Sequence, residues 1–184
     1  MNYKAFYGQL YKPIEEKIGP IDVNTLVSIV GFDCGGPLNL CTVGYGQNAF
    51  VTYVSCELAV RESQQHGDTG PFEVMTTCDD ERWARKVLTK IGQMSMESIF
   101  ENGHTVDISQ IVEPACKLKG VVIEEFACVR IEGDSYGIFR CHGVTTSELE
   151  FAMRFGTDEL LDKLKRVGVY PNTSIHRDTI KLSK

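Results

Sequence analysis

The sequence predicts an α/β domain of the α+β kind, a single unit in which a mixed, partly antiparallel sheet is packed with helices. Three observations predict it. Short runs rich in Val, Ile and aromatics alternate apolar and polar side chains, the period of a strand with one buried face. Turns built on Gly, Asn and Asp separate several of these runs closely enough for antiparallel pairing. Helical stripes stand at the start, middle and end of the chain without strict βαβ alternation, which argues against a doubly wound nucleotide fold. With 184 residues, the chain has the size of one domain over 1–184, large enough to bury a core without disulfides or metal.

Taken in order, Phe6, Leu10, Ile14 and Ile18 recur every four residues and mark a helix over 3–18. Pro13 bends or restarts it, because proline lacks the amide hydrogen and crowds the preceding turn; Gly19-Pro20 closes it. Strands are expected over 26–32, over 38–45 after a Gly35-Gly36-Pro37 turn, and over 50–60. In the last, Phe50, Val54, Cys56, Leu58 and Val60 face one way, with Thr52 as an exception, while Ser55 and Glu57 face a more polar layer. A polar loop over 63–71 leads to a short strand over 72–77. A long helix runs from 79 to about 100. Its buried face carries Trp83, Val87, Leu88, Ile91, Met94 and Ile99, its acidic first turn suits the helix dipole, and Asn102-Gly103 ends it. Paired strands over 121–131 and 136–141 flank a turn at 132–135. Thr145 to Glu148 has the spacing of a capping box. Thr157 is the expected cap of a last helix with Leu160, Leu161, Leu164 and Val167 inside, stopped at Gly168.

The functional signals are mostly exclusions. No apolar run reaches the roughly 20 residues of a membrane span. The N-terminus lacks a signal-peptide pattern, so a cytoplasmic location is expected. Seven cysteines, an odd number without a CxxC pair, read as reduced core thiols. The net charge of -6 argues against nonspecific nucleic-acid binding and against an anionic membrane, and permits a basic protein partner. The glycines at 31, 35, 36, 44 and 46 lack the helix and Lys-Ser/Thr pair of a phosphate loop. The four histidines have no metal-ligand spacing, so neither a metal nor another cofactor is expected. A thiol–imidazole couple could be assembled only from distant positions, with Cys34 in a glycine-rich turn and His104 or His142 as base. Two acidic clusters stand out as candidate partner-binding residues: Asp79, Asp80 and Glu81 at the helix start, and Glu124 with Glu125 in a strand.

The whole pattern resembles the suppressor of fused-like domain family in its short, single-domain bacterial form. The residues that carry the likeness are Thr42-Val43-Gly44-Tyr45, the run from Tyr53 to Val60 with its Glu57-Leu58 centre, and Trp83, Ala84 and Leu88 on the long helix. Gly103-His104, Cys141-His142-Gly143-Val144 running into Thr146-Ser147-Glu148-Leu149, and Ser174-Ile175-His176-Arg177 complete it. The match covers about 26–177. Gly46 departs from it, where many members have serine, and the second domain of the animal protein has no counterpart in these residues.

The resemblance implies a mixed sheet packed with helices, no cofactor and no catalytic residues. The animal member regulates other proteins by binding them. Bacterial members look like immunity proteins that neutralise a polymorphic toxin, often a nuclease. The first expectation is therefore a non-enzymatic immunity protein, or antitoxin, whose acidic exterior steers a basic toxin domain. The alternatives are a regulatory interaction module with an unrelated client, for which strand addition at a sheet edge is one binding mode, and a Cys34/histidine hydrolase.

Overall fold

A computed structural model describes residues 2–29, 36–44 and 49–182. The first helical stripe forms two helices. Helix α1 (Tyr3–Leu10) is capped by the Asn2 side chain, and α2 (Lys12–Lys17) restarts at Tyr11 with Pro13 in its first turn, where a missing amide hydrogen does no harm. Strands β1 (Ile21–Ile29), β2 (Leu38–Val43), β3 (Val51–Cys56) and β4 (Phe72–Cys78) follow. Helix α3 (Glu81–Met94) leads to β5 (Thr105–Asp107), the long pair β6 (Leu118–Ile131) and β7 (Asp134–Thr145), and helices α4 (Thr146–Phe155) and α5 (Thr157–Arg166).

The described strands form one sheet in the order β1-β2-β3-β4-β7-β6-β5. All neighbours pair antiparallel except β4 and β7, which run parallel. This is the mixed sheet that the sequence predicts. Glu132 and Gly133, with φ of 54° and 102°, make the tight β6–β7 turn, since a loop matched to the twist of its strands needs positive φ at both positions.

Strand alternation sends Leu40, Val74 and Phe139 to one face, where α3 covers them with Trp83, Val87, Leu88 and Ile91. Met75, Val54 and Ile138 face the other side and pack on Phe6, Leu10 and Ile14 of α1 and α2. On that second face α4 and α5 cover Val122 and Val144. Cys41, Cys78, Cys116 and Cys141 are buried thiols without disulfides.

Several boundaries differ from expectation. Strand β3 stops at Cys56, four residues early, because Glu57 takes φ 73° and leaves the extended region. Helix α3 stops at Met94: the Ser95 carbonyl accepts the Gln65 amide from the polar loop at 2.6 Å, and the Ser95 hydroxyl bonds back to the Gly92 carbonyl. Strand β7 extends to Thr145, and β5 has no counterpart in the sequence reading. The capping box forms as expected, with Thr145 Oγ1 accepting from the Glu148 amide and the Glu148 carboxylate accepting from the Thr145 amide. Thr157 does not cap α5. Gly156 closes α4 and opens α5 together, so Thr157 is already the first helical residue.

Candidate functional site

A cleft of about 820 Å³ opens on the α1-bearing face, between the end of α2 and the segment after α5. Its walls come from distant parts of the chain: Lys17 on α2, Thr52 on β3, Thr77 on β4, Phe126 on β6, and Pro171 and Asn172. Arg140 of β7 lines it as well. The register aligns Glu124, Arg140 and Met75 across three strands, so the two charged side chains share a face. Arg140 is only 7% exposed.

The guanidinium of Arg140 lies between two rings, 4.7 Å from the centroid of Phe126 and 5.3 Å from that of Tyr170. A planar, weakly hydrated cation is well suited to such stacking. One terminal nitrogen donates to the Tyr170 hydroxyl, which donates to Glu124 at 2.6 Å. The direct Arg140–Glu124 distance is longer, 3.6 Å. Lys165 approaches the other Glu124 oxygen at 3.9 Å, and the Lys17 ammonium stands 4.8 Å over the Phe126 ring. Arg140 Nε is buried without a hydrogen-bond partner. Burial, and then the Glu124 carboxylate, push the Tyr170 phenol up to about 12, so it remains a proton donor.

The five predicted acids are not brought to one place. Asp79 is exposed and accepts from Ser174 Oγ and the Ile175 amide, tying down the C-terminal segment. Asp80 is the N-cap of α3 and accepts from the Trp83 amide at 2.6 Å. Glu81 is exposed and pairs with Arg85 one turn on. Glu125 is exposed and accepts from Thr69. Glu124 alone reaches the cleft region, where it is committed to Arg140, Tyr170 and Lys165. Asp80 and Glu81 also line a second hollow of about 680 Å³ beside Trp83, at the start of α3.

Cys34 lies outside the described residues. Of its two possible partners, His104 is exposed and 3.9 Å from Glu101. His142 is fully buried, and burial followed by the Arg177 charge lowers its pKa to about 3. The Pro171 carbonyl favours protonation but does not outweigh those effects, and neither ring nitrogen makes a well-formed hydrogen bond.

Two motifs of the family resemblance meet in a second buried pair. Glu148, at the start of α4, is fully buried and receives both terminal nitrogens of Arg177, each at 2.6 Å. The amides of Thr145 and Ile180 fill its remaining positions at 2.9 and 3.0 Å. Burial raises the Glu148 carboxyl, but the hydrogen bonds and charge of Arg177, aided by the two amides, hold it below the ordinary value. A third buried acid, Glu73 on β4, has no cation beside it among the described residues. It meets Ser55 Oγ at 2.5 Å, the Ala59 amide at 3.0 Å and the Tyr7 hydroxyl at 3.1 Å. Burial dominates there and raises its pKa to about 8.

Among the described residues no group of three or more His, Cys, Asp or Glu is placed to hold a metal ion, and no helix is long and apolar enough to cross a membrane. In class this is a mixed α/β domain with a polar cleft walled by the end of α2, five strands and the segment after α5. The chain belongs to the family described as Suppressor of fused protein (SUFU), whose family model matches residues 36–178. Domains of this family are non-catalytic protein-interaction modules.

Several solved chains resemble it, two of them as follows. A chain of the Sufu-Fu complex crystal structure aligns with a TM-score of 0.67 at 15% identity, covering 96% of this chain and 91% of that one. Drosophila Suppressor of Fused aligns at 0.63 and 16% identity, covering 81% of this chain and 43% of that one, so the match takes in less than half of the fly protein. These likenesses show the fold. No curated protein matches the sequence.

Proposed function

We propose that this domain is a regulatory interaction module that binds a protein client through the surface around the Arg140 cleft. The observation that carries the reading is a concave, already assembled site in a family of protein-binding domains, walled by segments from α2, five strands and the tail. A preformed site lowers the ordering entropy lost on association. The similar chain in the Sufu-Fu complex is itself part of a protein assembly, which supports a client of regulatory kind over a toxin. The exposed acids Asp79, Glu81 and Glu125 then serve as outer charges that orient the encounter, with Asp80 and Glu124 holding structure behind them.

The test is affinity capture with the full chain, followed by mass spectrometry and reconstitution of the purified pair. A saturable one-to-one complex whose interface maps to the cleft by hydrogen exchange is the expected result. A client that protects the opposite, α3-bearing face would move the site elsewhere. Rescue of growth from a co-expressed nuclease toxin would replace the regulatory reading with the immunity one.

A further inference from the structure

We infer that the cleft receives an acidic segment of the client, so that the concave site selects carboxylate side chains even though the chain as a whole is anionic. The inference rests on the protein-binding reading and adds the chemistry of the bound element. Among the described residues lining the cleft, the charged ones are Lys17 and Arg140, both cationic. Their sign is opposite to the net charge of -6. Lys165, from α5, adds a third cation beside Tyr170, with its ammonium 4.9 Å from the ring centroid. Glu124 lies near Arg140 and Lys165, and Asp162 stands 4.0 Å from Lys165, so Lys17 and Arg140 carry the positive charge of the cleft wall.

The state of Arg140 supplies the independent observation. Its side chain is more than nine-tenths buried, yet Nε has no partner. Its polar contacts, to Tyr170 and Glu124, both engage the terminal nitrogen Nη1. The edge that includes Nε is one that a carboxylate grips with two parallel hydrogen bonds. Phe126 and Tyr170 hold the plane of the guanidinium, so little rotamer freedom is lost when that edge is engaged. Asn172, Thr52 and Thr77 offer neutral polar groups nearby, with the two threonine hydroxyls 2.7 Å apart. The cleft volume is within the range of sites that enclose a ligand of several polar groups. A basic segment would place its charges against Lys17 and Arg140 and find no lining carboxylate.

The experiment titrates the isotope-labelled full chain with hexaglutamate, hexalysine and inorganic phosphate at matched ionic strength. Saturable NMR shifts are expected with hexaglutamate at the amides of Lys17, Thr52, Thr77 and Asn172 and at the Arg140 Nε–H. Hexalysine is expected to leave these signals in place, and phosphate to move them only weakly. Lys17→Glu, on an exposed helical position, leaves the fold intact and weakens hexaglutamate binding roughly tenfold, the equivalent of one charge pair. Arg140→Lys keeps the charge, loses the bidentate edge and weakens it further. Equal response to hexalysine, phosphate as effective as the peptide, or unchanged binding by Lys17→Glu would overturn the inference. A captured client retained equally by Lys17→Glu overturns it while leaving the protein-binding reading intact. Selective hexaglutamate binding with no client captured by either form counts instead against the protein-binding reading.

Discussion

Among the described residues two arginine–glutamate pairs are largely buried, and they are built to different standards. Arg177 and Glu148 meet head-on through two 2.6 Å contacts, and backbone amides fill the rest of the carboxylate. Arg140 and Glu124 are 3.6 Å apart, linked through the Tyr170 hydroxyl, with a cleft alongside, and Nε of both arginines is buried without a partner. Buried charges persist only when paired and hydrogen-bonded. Glu148 meets that requirement within the chain, and the pair fastens the tail to α4. The second pair meets it less directly, through Tyr170 and Lys165, and stands at the wall of a cleft. The difference separates scaffold from site more clearly than charge or burial alone.

The largest effect tests the scaffold pair. Arg177→Ala leaves Glu148 buried and unpaired, and is expected to destabilise the fold by about 3–5 kcal/mol, measured by urea unfolding at pH 7. A loss below about 1 kcal/mol would make the clamp no better than a surface ion pair. The pH dependence follows from the depressed Glu148 carboxyl. Its stabilisation is complete above the unfolded carboxylate value and declines as pH falls through the lower folded one.

Glu73 shows what a buried acid does without an arginine. Its folded pKa of about 8 lies above the unfolded value, so the unfolded chain releases its proton first as pH rises. Stability therefore falls between the ordinary carboxylate range and about pH 8, by roughly 3 kcal/mol at pH 7. Glu73→Gln removes that slope. Unfolding of both chains at pH 5 and pH 8 isolates it, and parallel pH dependences would contradict the assignment.

The next effect sharpens the contrast directly. Arg140→Met is expected to lose only about 1–2 kcal/mol, because Glu124 retains Tyr170 and Lys165. A loss equal to that of Arg177→Ala would show that both pairs are scaffold. The smallest effects belong to the acidic first turn of α3. Asp80→Ala removes an N-cap and costs about 1 kcal/mol, while Glu81→Gln removes one exposed i,i+4 pair and costs about 0.3–0.5 kcal/mol. Thermal denaturation of the two variants side by side ranks them.

Much of the architecture was readable before the structure. The Pro13 break, the β6–β7 hairpin, the capping box at Thr145 and the mixed sheet all depend on local chemistry that one short segment carries. Boundaries failed where a distant segment intervened. Gln65 takes the Ser95 carbonyl and ends α3, and nothing near Met94 announces it. The cleft was illegible for the same reason, since its walls come from seven separate stretches. A weak signal did exist. Glu73 in Phe-Glu-Val-Met and Arg140 in Phe-Arg-Cys are single charges inside apolar strand runs, and such charges need partners that the strand cannot supply. Of the acids chosen for exposure, Glu124 stands beside the cleft, while Asp79, Asp80 and Glu81 make local contacts at the helix start.

The parallel β4–β7 pairing also has a kinetic consequence. Strands β1 to β4 are laid down in chain order, and β5 to β7 form a second sequential meander. Each half closes through connections much shorter than the seam, which joins residues more than sixty positions apart, such as Met75 and Arg140. Loop-closure entropy makes such a union late. Arg140 lies on that seam, so the pocket it lines comes into being only when the two halves zip together; a half-finished chain would have no grip on a client.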